Sequence, residues 1–350
     1  MTAPLTLAGQ RIGHDAPAYV IAEIGVNHNG DLDLARRLID VAAGAGAQAA
    51  KLQSFSADRL VAPSARKAEY QRAATSPDET QHAMLKSLEL DRAAHATLFA
   101  HAARAGITLL STPFDEGSAD LLEELGAPAF KISSGDLTHH AMLRHIARKG
   151  RPMLVSTGMA DIAEVAAALD AISSAGGPAV ALLHCVSVYP ANPAEANLRA
   201  MATLRTAFGV PVGWSDHTTD PAVAWAAVAL GACVLEKHLT LDKNMPGPDH
   251  RASANPEEFA AYVRGVRIVE AALGDGVKRM TGSERGIAAV ARRSVVALRD
   301  IPAGTRIGAE DVGALRPGHG LAPAAMPFVA GRRAGAAISA GTVIEPGMLD

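Results

Sequence analysis

Long apolar runs are missing from this chain of 350 residues. No window approaches the ~20 apolar residues that a membrane-spanning helix needs, and the first fifteen residues lack the apolar stretch of a signal peptide. Both cysteines, Cys185 and Cys233, lie in apolar, strand-like runs, which fits a reduced setting better than a disulfide framework. We therefore expect a cytoplasmic protein that has no membrane partner.

An excess of one charge is missing as well. The chain has 33 Lys and Arg against 36 Asp and Glu, for a net charge of −3, and the two signs are interspersed. There is no basic stripe of the kind that indicates a nucleic-acid surface, so we expect no nucleic-acid partner. With 49% hydrophobic residues, the chain can bury a sizeable core, and its length suits one large domain and a small one.

Eight short apolar runs alternate with amphipathic helical segments. The runs are YVIAEIG (19–25), AAKLQSF (49–55), ITLLSTP (107–113), AFKISSG (129–135), PMLVSTG (152–158), VALLHCV (180–186), VPVGWSD (210–216) and ACVLEKH (232–238). Helices are predicted at 31–47, 161–172 and 221–232, the first with Asp31 as its N-cap. This alternation predicts an α/β fold, a (β/α)8 TIM barrel. The alternative is a doubly wound open sheet, although no GxGxxG follows the first strand.

Two segments depart from the regular alternation of strands and helices. DETQHAMLKSLEL (78–90) looks helical and is predicted to be an excursion at the barrel mouth. The C-terminal tail contains an internal repeat, because IPAGTRIGAEDV (301–312) and ISAGTVIEPGML (338–349) share the pattern I-x-A-G-T-x-I. We predict a catalytic barrel at 1–275, a polar linker at 276–290 and a small β-rich module at 291–350.

Every apolar run ends in polar residues. In a barrel the active site lies at the C-terminal ends of the strands, so these residues are the candidate site: Glu23, Lys51, Gln53, Thr112, Lys131, Ser134, Ser156, Ser187, Tyr189, Ser215, His217, Glu236 and His238. A single polar strand end has an ordinary structural explanation. The coincidence of eight indicates function.

Two turns, KISSGD (131–136) and LVSTGM (154–159), are candidates for an anion site. Hydroxyls, glycine and backbone N–H groups at the start of a helix bind phosphate, and Lys51 and Lys131 would add positive charge. The alternative is that these hydroxyls only cap helices. A ligand with a phosphate, or a phosphate and a carboxylate, would fit.

His217 and His238 end neighbouring strands and are candidates for a divalent metal site, with Glu23 nearby. Each alone could be an ordinary buried histidine. Because side chains alternate along a strand, Glu236 and His238 should share a face, while Lys237 should point the other way. We expect Lys237 to be an ion-pair partner behind the barrel wall.

Taken together, these motifs resemble the sialic acid synthase family. The motifs are AEIGVNHNGDL, KLQSF, STPFD, KISSGDL, LVSTGM, LHCVSVYP, GWSDHT, EKHLTLDKNMPGPDH and LRPGHG, in family order from about residue 11 to the C-terminus. The resemblance implies a synthase, a transferase that forms a C–C bond between phosphoenolpyruvate and an N-acylated hexosamine. It also implies that the tail is an antifreeze-like SAF domain.

The resemblance also implies roles for single residues. Glu23, Glu236 and Lys131 would be catalytic, and His217 and His238 would bind Mn²⁺ or Mg²⁺. Phosphoenolpyruvate would be held, together with Lys131, by Lys51, Gln53, Ser134, Ser156, Ser187 and Ser215. Tyr189 would line the sugar side. Arg316 of LRPGHG would reach the N-acyl group of the sugar in the barrel of a partner subunit, which implies a domain-swapped homodimer.

The sugar is predicted to be N-acetylmannosamine, with N-acetylneuraminate as product. The alternative is 2,4-diacetamido-2,4,6-trideoxymannose, with N,N'-diacetyllegionaminate as product. Residues 68–90 look closer to the legionaminic branch, and PGPDHRAS speaks against the pseudaminic branch. Ser187 stands where many bacterial sialic acid synthases have asparagine, and His319 where asparagine or threonine is more usual.

Three other functions are compatible with parts of the sequence. A Schiff-base aldolase with Lys51 or Lys131 as its amine would use pyruvate without a metal and would be trapped by borohydride. Barrel synthases that join phosphoenolpyruvate to phosphorylated sugars are close in chemistry, but the SAF-like tail argues against them. A non-catalytic binding or antifreeze protein would leave the eight polar strand ends unexplained.

Overall fold

The computed structural model describes residues 5–75 and 79–350. Predictions that fall on 1–4 and 76–78, the start of the chain and part of the excursion, lie outside the described residues. The chain divides into two compact units between Gly274 and Asp275. In the described part of the chain, no helix combines the length and the apolar character that crossing a bilayer requires.

The first unit is built on a parallel sheet that closes almost completely into a barrel. The strands of this unit are β1 (Leu5–Leu7), β2 (Gln10–Ile12), β3 (Tyr19–Glu23), β4 (Ala49–Ser54), β5 (Thr108–Pro113), β6 (Phe130–Ile132), β7 (Met153–Ser156), β8 (Val180–Cys185), β9 (Val212–Asp216) and β10 (Val234–His238), of which β1 and β2 lie outside the barrel sheet. Strands β3 to β10 pair in the order β5-β4-β3-β10-β9-β8-β7-β6, and β5 also lies beside β6. The TIM-barrel prediction is confirmed, and the open doubly wound sheet is wrong.

Helices follow the strands; most cover the outside of the barrel, whereas three short ones between β4 and β5 form an excursion. The helices are α1 (Leu32–Gly44), α2 (Ala57–Leu60), α3 (Glu69–Ala74), α4 (Gln81–Lys86), α5 (Arg92–Ala105), α6 (Glu116–Glu124), α7 (His140–Ala147), α8 (Ile162–Ser173), α9 (Ala200–Phe208), α10 (Ala222–Ala229) and α11 (Pro256–Leu273). The predicted N-cap is confirmed, because the Asp31 carboxylate accepts from the N–H groups of Asp33 and Leu34. The helical stretch predicted at 78–90 is shorter than expected and is represented by α4.

A hairpin that was not predicted closes the N-terminal end of the barrel. Strands β1 and β2 pair antiparallel, and Leu5, Leu7 and Ile12 are fully buried. These side chains pack against the first inward-facing residues of the barrel strands, among them Tyr19 and Ile21. The lower end is therefore a packed apolar core, which leaves the C-terminal ends of the strands as the open end.

The second unit is small and contains helix α12 (Glu284–Ala291), strands β11 (Ser294–Ala297) and β12 (Val312–Leu315), and helix α13 (Met326–Val329). The predicted repeat is visible in its backbone, because Ile301 and Ile338 pair antiparallel through two N–H···O bonds of 2.8 and 2.9 Å. Their repeat partners Ile307 and Ile344 are buried in the same core. The two repeat units thus share one small apolar core.

The stretch 276–290, predicted to be a linker, is not simply a linker. It contains most of α12 and belongs to the second unit. Thr281 donates its N–H and its hydroxyl to the Glu284 carboxylate at 2.7 and 2.9 Å, which organises the start of the helix. The polar, glycine-containing composition concealed this local capping arrangement.

Candidate active site

A cavity of about 530 Å³ opens at the C-terminal ends of the barrel strands. Every predicted site residue of the first unit lines it: Glu23, Lys51, Gln53, Lys131, Ser134, Ser156, Ser187, Tyr189, Ser215, His217, Glu236 and His238. Arg316 directly follows β12 in the second unit, and its role at the sugar stays a prediction. The strand ends that looked polar in the sequence therefore surround one volume.

Strand register places the charged residues side by side. His238 on β10 is opposite Glu23 on β3, and Glu23 is opposite Lys51 on β4. On the other side of β10, Glu236 is opposite Ser215, whose hydroxyl donates to Glu236 Oε1 at 3.0 Å. Parallel pairing thus brings together side chains that are more than 200 positions apart in sequence.

Glu23 and Lys51 form a buried ion pair. Lys51 also donates to Thr112 Oγ1 at 2.9 Å, and Glu23 Oε1 accepts from the N–H of Gly25 at 2.6 Å. Burial lowers the pKa of Lys51 to about 7, while the charge of Glu236 opposes that shift. The pair is held rigidly, because both side chains are almost fully enclosed and both are engaged by the surrounding chain.

Glu236 lies between two lysines. Its carboxylate oxygens are 3.6 Å from Lys131 Nζ and 3.8 Å from Lys51 Nζ, which is beyond hydrogen-bond length. Burial alone would raise the pKa of Glu236, but Lys131 and Lys51 outweigh burial and lower this pKa to about 2. Two lysines and two glutamates thus balance in charge, and Lys131 donates to Ser156 Oγ at 2.7 Å.

The two predicted anion-binding turns meet at one point. The N–H of Gly158 donates to Ser134 Oγ at 3.0 Å, and Ser134 Oγ lies 3.2 Å from Cys185 Sγ. A Cβ added at Gly158 would lie 2.3 Å from Ser187 Oγ, so only glycine allows this approach. The hydroxyls form a cradle beside Lys131 whose chemistry fits an anionic ligand.

The two predicted metal ligands also meet. The ring centroids of His217 and His238 are 5.6 Å apart, and the Tyr189 ring lies 4.2 Å from that of His217. His217 Nδ1 is 2.6 Å from the carbonyl oxygen of Val186, which favours a proton on Nδ1 and a lone pair on Nε2. Burial lowers the pKa of both imidazoles, so both are neutral, as metal ligands must be.

The donor set suits a divalent ion that is held in part by other oxygens. His238 Nδ1 is buried and has no hydrogen-bond partner among the described residues, and the Asp249 carboxylate is 3.7 Å away. Within 5–75 and 79–350, however, no group of three or more His, Cys, Asp or Glu has metal-binding geometry. Glu23 was expected near the metal site, but its carboxylate is paired with Lys51. Two imidazoles with open positions for water and substrate are the arrangement that fits.

The GVNHNG motif (25–30) holds the loop that follows β10. Asn27 Nδ2 donates to the carbonyl oxygen of Leu239 at 2.9 Å and to Ser253 Oγ at 2.8 Å. Asn29 Nδ2 donates to the carbonyl oxygen of Pro246 at 2.9 Å. These bonds keep the 242–250 loop against the mouth of the barrel and bring Asp249 into the cavity. The motif therefore acts on the site through the loop that it positions.

Two further residues line the cavity, Thr112 and Asp249, and the family resemblance implies no role for either. Thr112 is the partner of Lys51, and its place at the end of the third apolar run was the available signal. Asp249 is buried, and burial raises its pKa to about 7. Its sequence context, DKNMPGPDH (242–250), predicts a rigid loop at the mouth with Asp249 and His250 as candidate polar contacts.

Lys237 is where the alternation of the strand predicts it. Its Nζ lies 3.3 Å from Asp216 Oδ2 and also donates to the carbonyl oxygen of Thr218. Asp216 Oδ1 in turn accepts from the N–H and hydroxyl of Thr218 at 2.9 and 2.7 Å. The prediction of an ion pair behind the wall is confirmed. This pair braces the turn that carries His217.

Known proteins resemble this chain over most of its length. The NeuB family model matches residues 38–278, and the SAF domain model matches residues 292–350. The N,N'-diacetyllegionaminic acid synthase of Legionella pneumophila is 45% identical over 336 residues, 95% of this chain and 94% of that protein. The N-acetylneuraminate-9-phosphate synthase of Mus musculus is 38% identical over 306 residues, 85% of this chain and 83% of that protein.

The fold has solved counterparts over its full length. The crystal structure of the spore coat polysaccharide biosynthesis protein SpsE of Bacillus subtilis is 37% identical, covers 99% of both chains and has a TM-score of 0.67. The family resemblance predicted from the motifs is confirmed by the two family models and by these relatives. This chain is a member of the NeuB family, with a SAF domain at its C-terminal end.

Proposed function

We propose that this protein condenses phosphoenolpyruvate with 2,4-diacetamido-2,4,6-trideoxymannose to give N,N'-diacetyllegionaminate and phosphate. The observation that carries the proposal is the joining, in one cavity, of an anion cradle beside Lys131 and a pair of neutral histidines. The cradle suits the phosphate and carboxylate of phosphoenolpyruvate, and the histidines suit the aldehyde end of an open-chain sugar.

The choice of sugar differs from the first expectation. The motifs predict N-acetylmannosamine as the acceptor sugar, with the legionaminic precursor as the alternative. The relatives favour the alternative, because identity is 45% to a legionaminic acid synthase and 38% to an N-acetylneuraminate-9-phosphate synthase. The coarser function, a synthase of nine-carbon sugar acids, is common to both.

The protein contributes mainly by holding two substrates in line. Lys131, Ser134, Ser156 and Ser187 would hold phosphoenolpyruvate so that its C3 faces the aldehyde carbon. The C2=C3 π electrons of phosphoenolpyruvate form the new bond to the aldehyde carbon, whose oxygen becomes a hydroxyl by taking up a proton. Water adds to C2, phosphate leaves with cleavage of its C2–O bond, and the two protons of the water are passed to the new hydroxyl and to phosphate. Positioning of this kind can supply ~7–11 kcal/mol of the barrier.

His217 and His238 would hold Mn²⁺ or Mg²⁺ at the aldehyde end. When bound there, a divalent ion supplies Lewis-acid stabilisation of the charge that develops on the aldehyde oxygen. Glu236 Oε2 has no hydrogen-bond partner among the described residues. It is therefore the acceptor that would orient a sugar hydroxyl or the attacking water.

The test is phosphate release from phosphoenolpyruvate with Mn²⁺, with N-acetylmannosamine and 2,4-diacetamido-2,4,6-trideoxymannose as separate acceptors. We expect release with the second sugar to be at least tenfold faster at equal concentration, and we expect EDTA to stop it. Faster release with N-acetylmannosamine would make the protein a sialic acid synthase. Release with neither sugar would contradict the proposed function.

A further inference from the structure

One wall of the cavity is not made by strand ends. The excursion between β4 and β5 carries α2, α3 and α4, and its side chains reach the cavity. We call these side chains the excursion wall: Leu60, Val61, Gln71, Gln81, Met84 and Leu85. The wall contains four apolar side chains and two carboxamides; together with Ala68 these are the described excursion residues that line the cavity, and none of them is charged. This composition contrasts with the lysines, glutamates and histidines of the strand ends.

The apolar part of the wall is packed, so it keeps its shape. Met84 is buried in a small cluster with Val26 and Phe55, and Leu60 and Leu85 pack against that cluster. Placing a sugar hydroxyl against such a surface removes the hydroxyl from water without offering it a partner, which costs free energy. A methyl group placed there gains from burial. The surface therefore favours a deoxy position on the acceptor.

The carboxamides offer hydrogen bonds at the same wall. Gln71 Oε1 accepts from the N–H of Ala68 at 3.0 Å, which holds the side chain in place. The NH₂ group of Gln71 is then the part that can donate a hydrogen bond to a ligand. The Gln81 carboxamide has no hydrogen-bond partner within 5–75 and 79–350, so it can both donate and accept. An acetamido substituent presents one carbonyl oxygen, one N–H and one methyl, which matches two carboxamides beside an apolar surface.

One barrel strand lies between the strand that carries His238 and the strand that leads into this wall. His238 ends β10, which neighbours β3, and β3 neighbours β4, the strand that leads into α2. If the aldehyde of the acceptor lies at His217 and His238, as in the proposed function, its opposite end extends toward another part of the cavity. The excursion wall is the part of the lining with the apolar and amide character to receive that end.

We infer that the excursion wall selects the acceptor sugar, with the Gln71 and Gln81 carboxamides binding the acetamido group at C4 and with Leu60 and its apolar neighbours binding the methyl group at C6. This inference rests on the proposed function, because it assumes which end of the sugar faces the histidines. It adds the residues that distinguish the legionaminic precursor from N-acetylmannosamine.

The experiment uses the whole protein and four acceptors that vary C4 and C6 independently. They are N-acetylmannosamine, its 6-deoxy form, its 4-acetamido-4-deoxy form, and 2,4-diacetamido-2,4,6-trideoxymannose. The quantity measured is kcat/KM for phosphate release at saturating phosphoenolpyruvate. Comparing acceptors within one variant cancels any loss of folded enzyme.

Substitution of the carboxamides should affect only the C4 preference. We expect Gln71→Ala and Gln81→Ala each to lower the ratio of 4-acetamido to 4-hydroxy acceptors about tenfold or less, the range for one hydrogen bond. The 6-deoxy preference should stay within about twofold. The matched control is Gln10→Ala in the hairpin at the lower end of the barrel, which should change neither ratio.

Substitution of the apolar part should affect only the C6 preference. We expect Leu60→Ser to lower the ratio of 6-deoxy to 6-hydroxy acceptors by roughly tenfold, because the new hydroxyl offers the sugar a partner. The inference would be overturned if the wild type prefers the diacetamido sugar but the C4 and C6 ratios of kcat/KM are both unchanged in the variants. The proposed function would then still stand. No phosphate release by the wild type with any acceptor would overturn both.

Discussion

The two ends of the barrel are made from the same eight strands, yet the side chains at one end are apolar and many of those at the other end are ionisable. Strand β10 shows the contrast within five residues, because Val234 and Leu235 are apolar, whereas Glu236, Lys237 and His238 are ionisable. The lower end is a core of aliphatic side chains under a hairpin. The upper end buries two lysines and two glutamates around a cavity.

The comparison teaches where stability and function are located. Burying aliphatic carbon stabilises the fold by ~25 cal/mol per Å², so the lower end contributes strongly to the free energy of unfolding. Buried ion pairs contribute little, because desolvation offsets their attraction. The charged upper end is therefore explained by its chemistry. Substitutions at the two ends should then separate the loss of activity from the loss of stability.

The largest expected effect is at the upper end. His217→Ala should lower turnover by roughly a thousandfold or more, because loss of the proposed metal ligand would remove several kcal/mol of transition-state stabilisation. Phosphate release across an Mn²⁺ titration measures this, and thermal unfolding should change little. His101→Ala, at a histidine on α5 that pairs with Asp40, is the matched control and should keep the wild-type rate. A wild-type rate in His217→Ala would remove the metal role.

The next effect is at the lower end and has the opposite character. Leu7→Ala should lower the free energy of unfolding by about 2–5 kcal/mol, since the side chain is fully buried. The kcat of the folded fraction should be unchanged. Urea unfolding and activity per folded molecule measure the two quantities. Thr6→Ala, at the exposed position between Leu5 and Leu7, should change stability by less than ~0.5 kcal/mol. An altered KM for phosphoenolpyruvate in Leu7→Ala would show that the two ends are coupled.

The smallest expected effect is on the pH dependence of stability and concerns a partly buried carboxyl at the upper end. Asp136 follows β6, and its Oδ2 is buried without a hydrogen-bond partner among the described residues. Burial raises its pKa to about 6, although His139 and Lys131 oppose this. The folded protein then binds this proton more tightly than the unfolded chain, so the contribution of Asp136 to stability falls as pH rises from about 4 to about 6.

Asp136→Asn removes that titration. Relative to the wild type, the variant should gain stability as pH rises through this window, reaching about 3 kcal/mol above pH 7. Urea unfolding of both proteins at pH 5 and pH 8 gives the difference. The matched control is Asp170→Asn, at an exposed position on α8. A constant difference for Asp136→Asn at both pH values would mean that the carboxyl is not desolvated.

Much of the molecule follows from the sequence. The eight apolar runs contain the eight barrel strands, and the repeat in the tail corresponds to the Ile301–Ile338 pairing. The polar strand ends predicted the cavity lining, because period-two alternation and a parallel barrel together decide which side chains face the mouth. The outward direction of Lys237 followed from the same alternation.

Other features were decided only by the tertiary structure. The hairpin at Leu5–Ile12, the length of α4, the helix inside the predicted linker and the excursion wall depend on packing and capping between segments far apart in sequence. Periodicity describes the faces of an element, but it does not say which loop folds over a cavity. The barrel, the repeat and the polar strand-end residues that line the site follow from the sequence. The tertiary structure decided which of them touch, because those contacts depend on strand register and on loops whose position has no local signal.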